Sequence, residues 1–141
     1  MRVRRRVRPR RGAAAVEMAI ILPVFLMMVL GLIEASRLGM AAQVISGAAR
    51  EGCRVASLPG NDSTAVQSAV TSALAGSGIS ATPTISCSDG TSSVSSTTPA
   101  GGTAITVRIS VPYSQIAWFA PVQYFGNMTV VASVTMSSER P

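Results

Sequence analysis

The sequence predicts an α+β protein in which a long N-terminal helix, transmembrane over its first half, precedes a small domain of a second helix and a roughly three-stranded antiparallel sheet. Three observations carry this expectation. Ala13 to Ile33 is a run of 21 residues whose only charge is Glu17. Ala65, Val66, Ala69, Val70, Ala73 and Leu74 follow Asn61 and Asp62 at helical spacing, with either of those two residues suited to cap the first turn. Ile105, Val107, Ile109 and Val111, and again Met128, Val130, Ala132, Val134 and Met136, recur at period two, the spacing of a strand with one buried face.

The first element is a leader. Arg2, Arg4, Arg5, Arg6, Arg8, Arg10 and Arg11 crowd the segment 1–12, whereas Arg37, Arg50, Arg54, Arg108 and Arg140 face six acids over the remaining chain. The net charge of +6 therefore belongs to the leader, and the body is close to neutral. A basic face interleaved with aromatics is absent, so no nucleic-acid partner is expected. Arginines directly ahead of an apolar run instead keep that end in the cytoplasm.

The run that follows, taken as a transmembrane helix over 13–34, rises ~1.5 Å per residue and reaches about 32 Å, enough for the ~30 Å hydrocarbon core. A secretory signal core is shorter, about 7–15 residues. Release near Ser36 would have to cut beside Glu34. A chain of 141 residues has little protein to wrap round so uniform an apolar cylinder, which disfavours a core helix. Pro23 would break a soluble helix and is tolerated in lipid. From 35 to 58 small and apolar residues continue at helical spacing (Ala35, Leu38, Ala41, Ala42, Ile45, Ala48, Ala49, Val55), so the helix is expected to extend outward to about forty residues. Gly39, Gly47 and Gly52 suit close approach, on one face to the protein's own domain and on another to a second helix.

Residues 59–141 form the small α+β domain, on the extracytoplasmic side if the arginines stay inside. The second helix stops at Gly76-Ser77-Gly78. Residues 80–87 make a weak strand that Pro83 confines to an edge. The stretch 86–103 is Ser, Thr and Gly with almost no apolar content, a flexible loop by composition. Cys53 and Cys87 are the only cysteines. A disulfide between them, in an oxidising compartment, would close a loop of ~34 residues and contribute about 3–4 kcal/mol in the entropic picture; the alternative is two buried free thiols.

No catalytic constellation is present: the chain has no histidine, no GxSxG or HExxH pattern, and no closely spaced acid pair. An enzyme is not expected, nor a cofactor or metal. Tyr113, Trp118, Phe119, Tyr124 and Phe125, five of the six aromatics, fall within thirteen residues. They are candidates for an interaction patch, or for large side chains that close a small core.

Arg11-Gly12, a short small-residue stretch, Glu17 and an apolar helix together resemble the class III signal of type IV pilins. Gly12-Ala-Ala-Ala-Val-Glu17-Met-Ala-Ile-Ile-Leu22-Pro23, Gly31-Leu-Ile-Glu34-Ala-Ser-Arg37, Ala48-Ala-Arg50-Glu51-Gly52 and Val134-Thr-Met136-Ser-Ser-Glu139 more specifically resemble TadE-like proteins, minor pilins or pseudopilins of the tight adherence (Flp) pilus system. The resemblance implies a single-pass protein of the inner (cytoplasmic) membrane that also enters the extracellular pilus if it is assembled there. It implies cleavage between Gly12 and Ala13 by prepilin peptidase, and partnership with other pilin or pseudopilin subunits, the assembly machinery and the lipid bilayer. Glu17 then pairs with the new α-amine of a neighbouring subunit and sets the register, since a charge buried in apolar surroundings is costly unless paired. The competing reading is an uncleaved, signal-anchored envelope protein with an extracytoplasmic binding domain.

Overall fold

The computed structural model describes residues 11–82, 84–87, 90–95, 99–118 and 127–139. Arg2 to Arg10 of the leader, Pro83, Phe119, Tyr124 and Phe125 lie outside the described residues. The fold is α+β, as expected. Helix α1 runs Arg11–Ser57 and α2 runs Ser63–Leu74; strands β1 (Thr84–Cys87), β2 (Ala104–Pro112) and β3 (Thr129–Ser137) form an antiparallel sheet in the order β1-β2-β3. The chain divides into two compact units, one up to Ile33 and one from Glu34 onward.

The first unit is helical throughout its described length. Its side chains are exposed on every face, apart from half-buried Val29 and Leu30. Over its most apolar stretch the mean hydropathy is 2.6, and the helix is long and apolar enough to cross a membrane. Pro23 lies inside it without an amide hydrogen, so the Ala19 carbonyl lacks the donor that a helix normally supplies four residues on.

The second unit is a helix layer on one face of the sheet. From Glu34 outward α1 turns a single face inward: Ala41, Ile45, Ala48 and Ala49 meet Val70 and Leu74 of α2, Ile109 and Val111 of β2, and Ala132 of β3. Farther out, Cys53 and Ala56 meet Val66, Ile85, Ile105 and Val107. The alanines keep the helix close to its neighbours, and Gly52 brings it closest. A Cβ at Gly52 would lie 2.6 Å from Val70 Cγ2. By contrast, Gly31, Gly39 and Gly47 face open space, so of the glycines that suggested close packing only Gly52 serves it inside this chain.

Asp62, rather than Asn61, caps α2, its Oδ1 accepting from the Ala65 amide at 2.8 Å. Asn61 instead donates to the Val55 carbonyl at the end of α1. Beyond Leu74 the chain turns through Gly76, whose φ of +81° an L side chain would strain. The strand alternation is borne out most fully in β2, where Ile105, Val107, Ile109 and Val111 are all buried. In β3 only Ala132 is buried, with Val130 and Val134 half-buried and Met128 and Met136 exposed, because β3 is an edge that the helix layer covers incompletely. The other edge, β1, is only four residues long.

Some of the described residues in the stretch 86–103, expected as a flexible loop, pack against the domain. Val94 and Pro99 are buried, and Ser63 clasps Val94 from both sides: its amide donates to the Val94 carbonyl at 2.9 Å while its hydroxyl accepts from the Val94 amide at 2.9 Å. One valine in a polar segment is a faint signal in sequence, yet it closes the lower core beside Val66 and Ile105. The C-terminal strand is tied back where the Glu139 amide donates to the Ser57 carbonyl at the end of α1.

Candidate functional site

In the first unit, Gly12 and Ala13 occupy the first turn of α1 and Glu17 follows little more than a turn later. Glu17 is exposed, flanked by exposed Val16, Met18, Ile20 and Ile21, and among the described residues it has no hydrogen-bond or ion-pair partner. The three residues singled out in sequence therefore share one short, solvent-open helix end. A carboxylate there costs little in water and several kcal/mol at mid-bilayer, about 2.5–3.5 on insertion scales.

The second unit holds an acid in the opposite situation. Glu34 is only 9% exposed and Tyr113 only 5%. The Tyr113 hydroxyl donates to Glu34 Oε1 at 2.9 Å across 79 residues of sequence. A hydrogen bond to a charged acceptor is stronger than one between neutral groups, which offsets the cost of withdrawing the carboxylate from water. Burial, reinforced by the adjoining Glu34 carboxylate, pushes the Tyr113 phenol above its usual range, so it remains a donor through neutral pH.

Tyr113 heads a 3-10 turn, Tyr113–Gln115, that leaves β2. Its amide donates to the Met128 carbonyl at 2.8 Å, and its carbonyl accepts from the amides of Ile116 and Ala117, each at 2.9 Å. One helical turn beyond Glu34, Arg37 Nη2 donates to the Ile116 carbonyl at 3.2 Å. The same guanidinium lies 5.7 Å from the centroid of the Trp118 ring, within cation–π range. Glu34 and Arg37 thus hold the segment 113–118 at both ends.

The aromatic cluster accordingly splits. Tyr113 is a buried latch and Trp118 is 74% exposed, while Phe119, Tyr124 and Phe125 lie outside the described residues. Sequence reasoning assigned Glu34 no role beyond its place in a family pattern. The available signal was weak: a second acid one residue past the apolar run, with its partner nearly eighty positions away.

Cys53 is a free thiol inside the core. Its Sγ lies 3.4 Å from the Ile105 carbonyl and 3.5 Å from that of Val134, and burial raises its pKa. The side chain of Cys87 lies outside the described residues, although its backbone pairs with Ile105 in register.

No curated protein and no solved structure matches the chain. Residues 12–54, from the glycine ahead of the apolar run to the outer turns of α1, match the family model described as TadE-like protein, the family that the sequence resembles.

Proposed function

We propose that this chain is a membrane-anchored minor pilin or pseudopilin-like component of tight adherence (Flp) pilus assembly, processed by prepilin peptidase between Gly12 and Ala13. One observation carries the reading: Glu17 stands exposed on an otherwise apolar, membrane-length helix, within a TadE-like segment that begins at Gly12.

Physical chemistry supplies the mechanism. Removing the leader would strip seven arginines from the chain and leave an α-ammonium on Ala13, about one turn from Glu17. In an apolar assembly two charges of opposite sign are far less costly together than apart, so subunits would settle where the amine of one meets Glu17 of another. The apolar faces around Glu17 would meet lipid before assembly and other helices after it. With the arginines in the cytoplasm, the second unit would lie on the far side of the inner membrane.

The test is Glu17→Leu in cells with the full pilus machinery. Membrane insertion should persist, since leucine favours lipid, while co-purification with the other pilus components should fall sharply. Normal assembly in that variant would refute the pairing.

A further inference from the structure

The second unit carries a surface that the assembly reading leaves unused. Among the described residues Trp118 is its most exposed large apolar side chain, Met40 and Met128 are exposed as well, and all three gather about the turns of α1 that follow Glu34. Met40 shares a cleft with Arg37 and Ile116. Met128 accepts from the amide of Tyr113, which sits on Glu34. Trp118 stacks over Arg37.

We propose that Trp118 and Arg37 form an anchor that lies in the phospholipid headgroup layer and seats the outer domain on the bilayer surface. The proposal rests on the reading of residues 13–33 as a membrane span. Arg37 follows Ile33 by four residues, a helical rise of at most ~6 Å, and each interfacial layer of a bilayer is roughly 5–7 Å thick. Chain adjacency alone therefore delivers Arg37 to headgroup depth. Trp118, held within 5.7 Å of its guanidinium, arrives with it.

The chemistry at that depth fits lipid. Tryptophan is enriched where a bilayer meets water, because its ring is apolar and its indole N–H is a donor. Of the five N–H donors of a guanidinium, one serves the Ile116 carbonyl, so Arg37 retains donors for a lipid phosphate. Among the described residues the acid at this level, Glu34, is turned inward onto Tyr113 and buried, which leaves Arg37 as the described, exposed charge nearest the span in this unit. Had Glu34 faced outward, it would have opposed an anionic surface at the depth where Arg37 attracts one.

Trp118 is the only tryptophan, so its emission reports this site alone. The full chain would be reconstituted in vesicles of phosphatidylcholine and phosphatidylglycerol and recovered by flotation. Trp118 emission would then be quenched with lipid spin-labelled at the headgroup, with lipid labelled at the acyl-chain end, and with aqueous acrylamide. Headgroup label should remove more of the emission than the deep label, acrylamide should quench weakly, and Arg37→Gln should reduce the headgroup quenching. A chain that fails to float overturns the span and the anchor together. A floating chain whose Trp118 is quenched freely by acrylamide and not by lipid overturns the anchor alone. Protection from acrylamide without lipid quenching overturns it in favour of a protein covering this surface.

Discussion

The two stretches of α1 share a backbone conformation and differ in what their side chains meet. Before Glu34 nearly every side chain is exposed; after it, one face is buried in a core built by this chain. Ile20 and Ile45 make the contrast sharp, the first 68% exposed and the second fully buried. The outer stretch is stabilised from within the molecule, whereas the inner one, long and apolar enough to cross a membrane, has no such core; on the proposed function lipid and other subunits supply its apolar surroundings. Their acids follow suit: Glu34 has its partner in Tyr113, and Glu17 has none among the described residues.

Matched substitutions test this division. Ile45→Ala should destabilise the outer domain by about 2–5 kcal/mol through lost burial and a residual cavity. Ile20→Ala should leave that domain's melting temperature unchanged, read by near-UV circular dichroism in detergent. A comparable loss at Ile20 would erase the distinction.

Glycine gives a second, smaller contrast. Gly52→Ala places a methyl 2.6 Å from Val70 Cγ2 and should cost about 1–3 kcal/mol by overpacking. Gly47→Ala meets open space and should be neutral or stabilising by up to about 1 kcal/mol, since glycine weakens helix interiors. Urea titrations of both variants would show whether close approach is confined to Gly52. Smaller again, Asp62→Ala removes the cap of α2 and should cost about 0.5–2 kcal/mol, with no effect on membrane insertion.

The latch predicts a pH effect with a definite sign. The folded-state pKa of Tyr113 is raised, chiefly by burial and then by Glu34, so the unfolded chain releases the phenolic proton first as pH rises. The stabilisation is complete below the ordinary tyrosine range near pH 10 and declines above it. Tyr113→Phe should flatten that alkaline decline and lower stability at neutral pH by depriving buried Glu34 of a donor. An unchanged alkaline slope in this variant would show that the latch does not titrate as described.

Much of the fold was legible because its signals are local. The apolar length of α1, the cap and spacing of α2, and the alternation of β2 are each contained in a dozen or two residues. What escaped depends on distant pairs. Ser63 and Val94 lie 31 positions apart, and Glu34 and Tyr113 lie 79 apart, so neither clasp leaves a periodic trace. Met128 and Met136 were expected on the buried face of β3 and instead stand exposed, because alternation identifies which face points inward but not whether the core reaches the strand's ends. At the proposed processing site the order is reversed: Gly12, Ala13 and Glu17 were marked in the sequence, and among the described residues Glu17 has no partner.

The most direct test is the mass of the mature protein. Expressed with the matching prepilin peptidase, the membrane-bound chain should begin at Ala13 by intact-mass spectrometry, the seven arginines gone and the α-amine free to meet Glu17. A product that keeps its leader despite active peptidase would contradict prepilin processing and leave a signal-anchored envelope protein in its place.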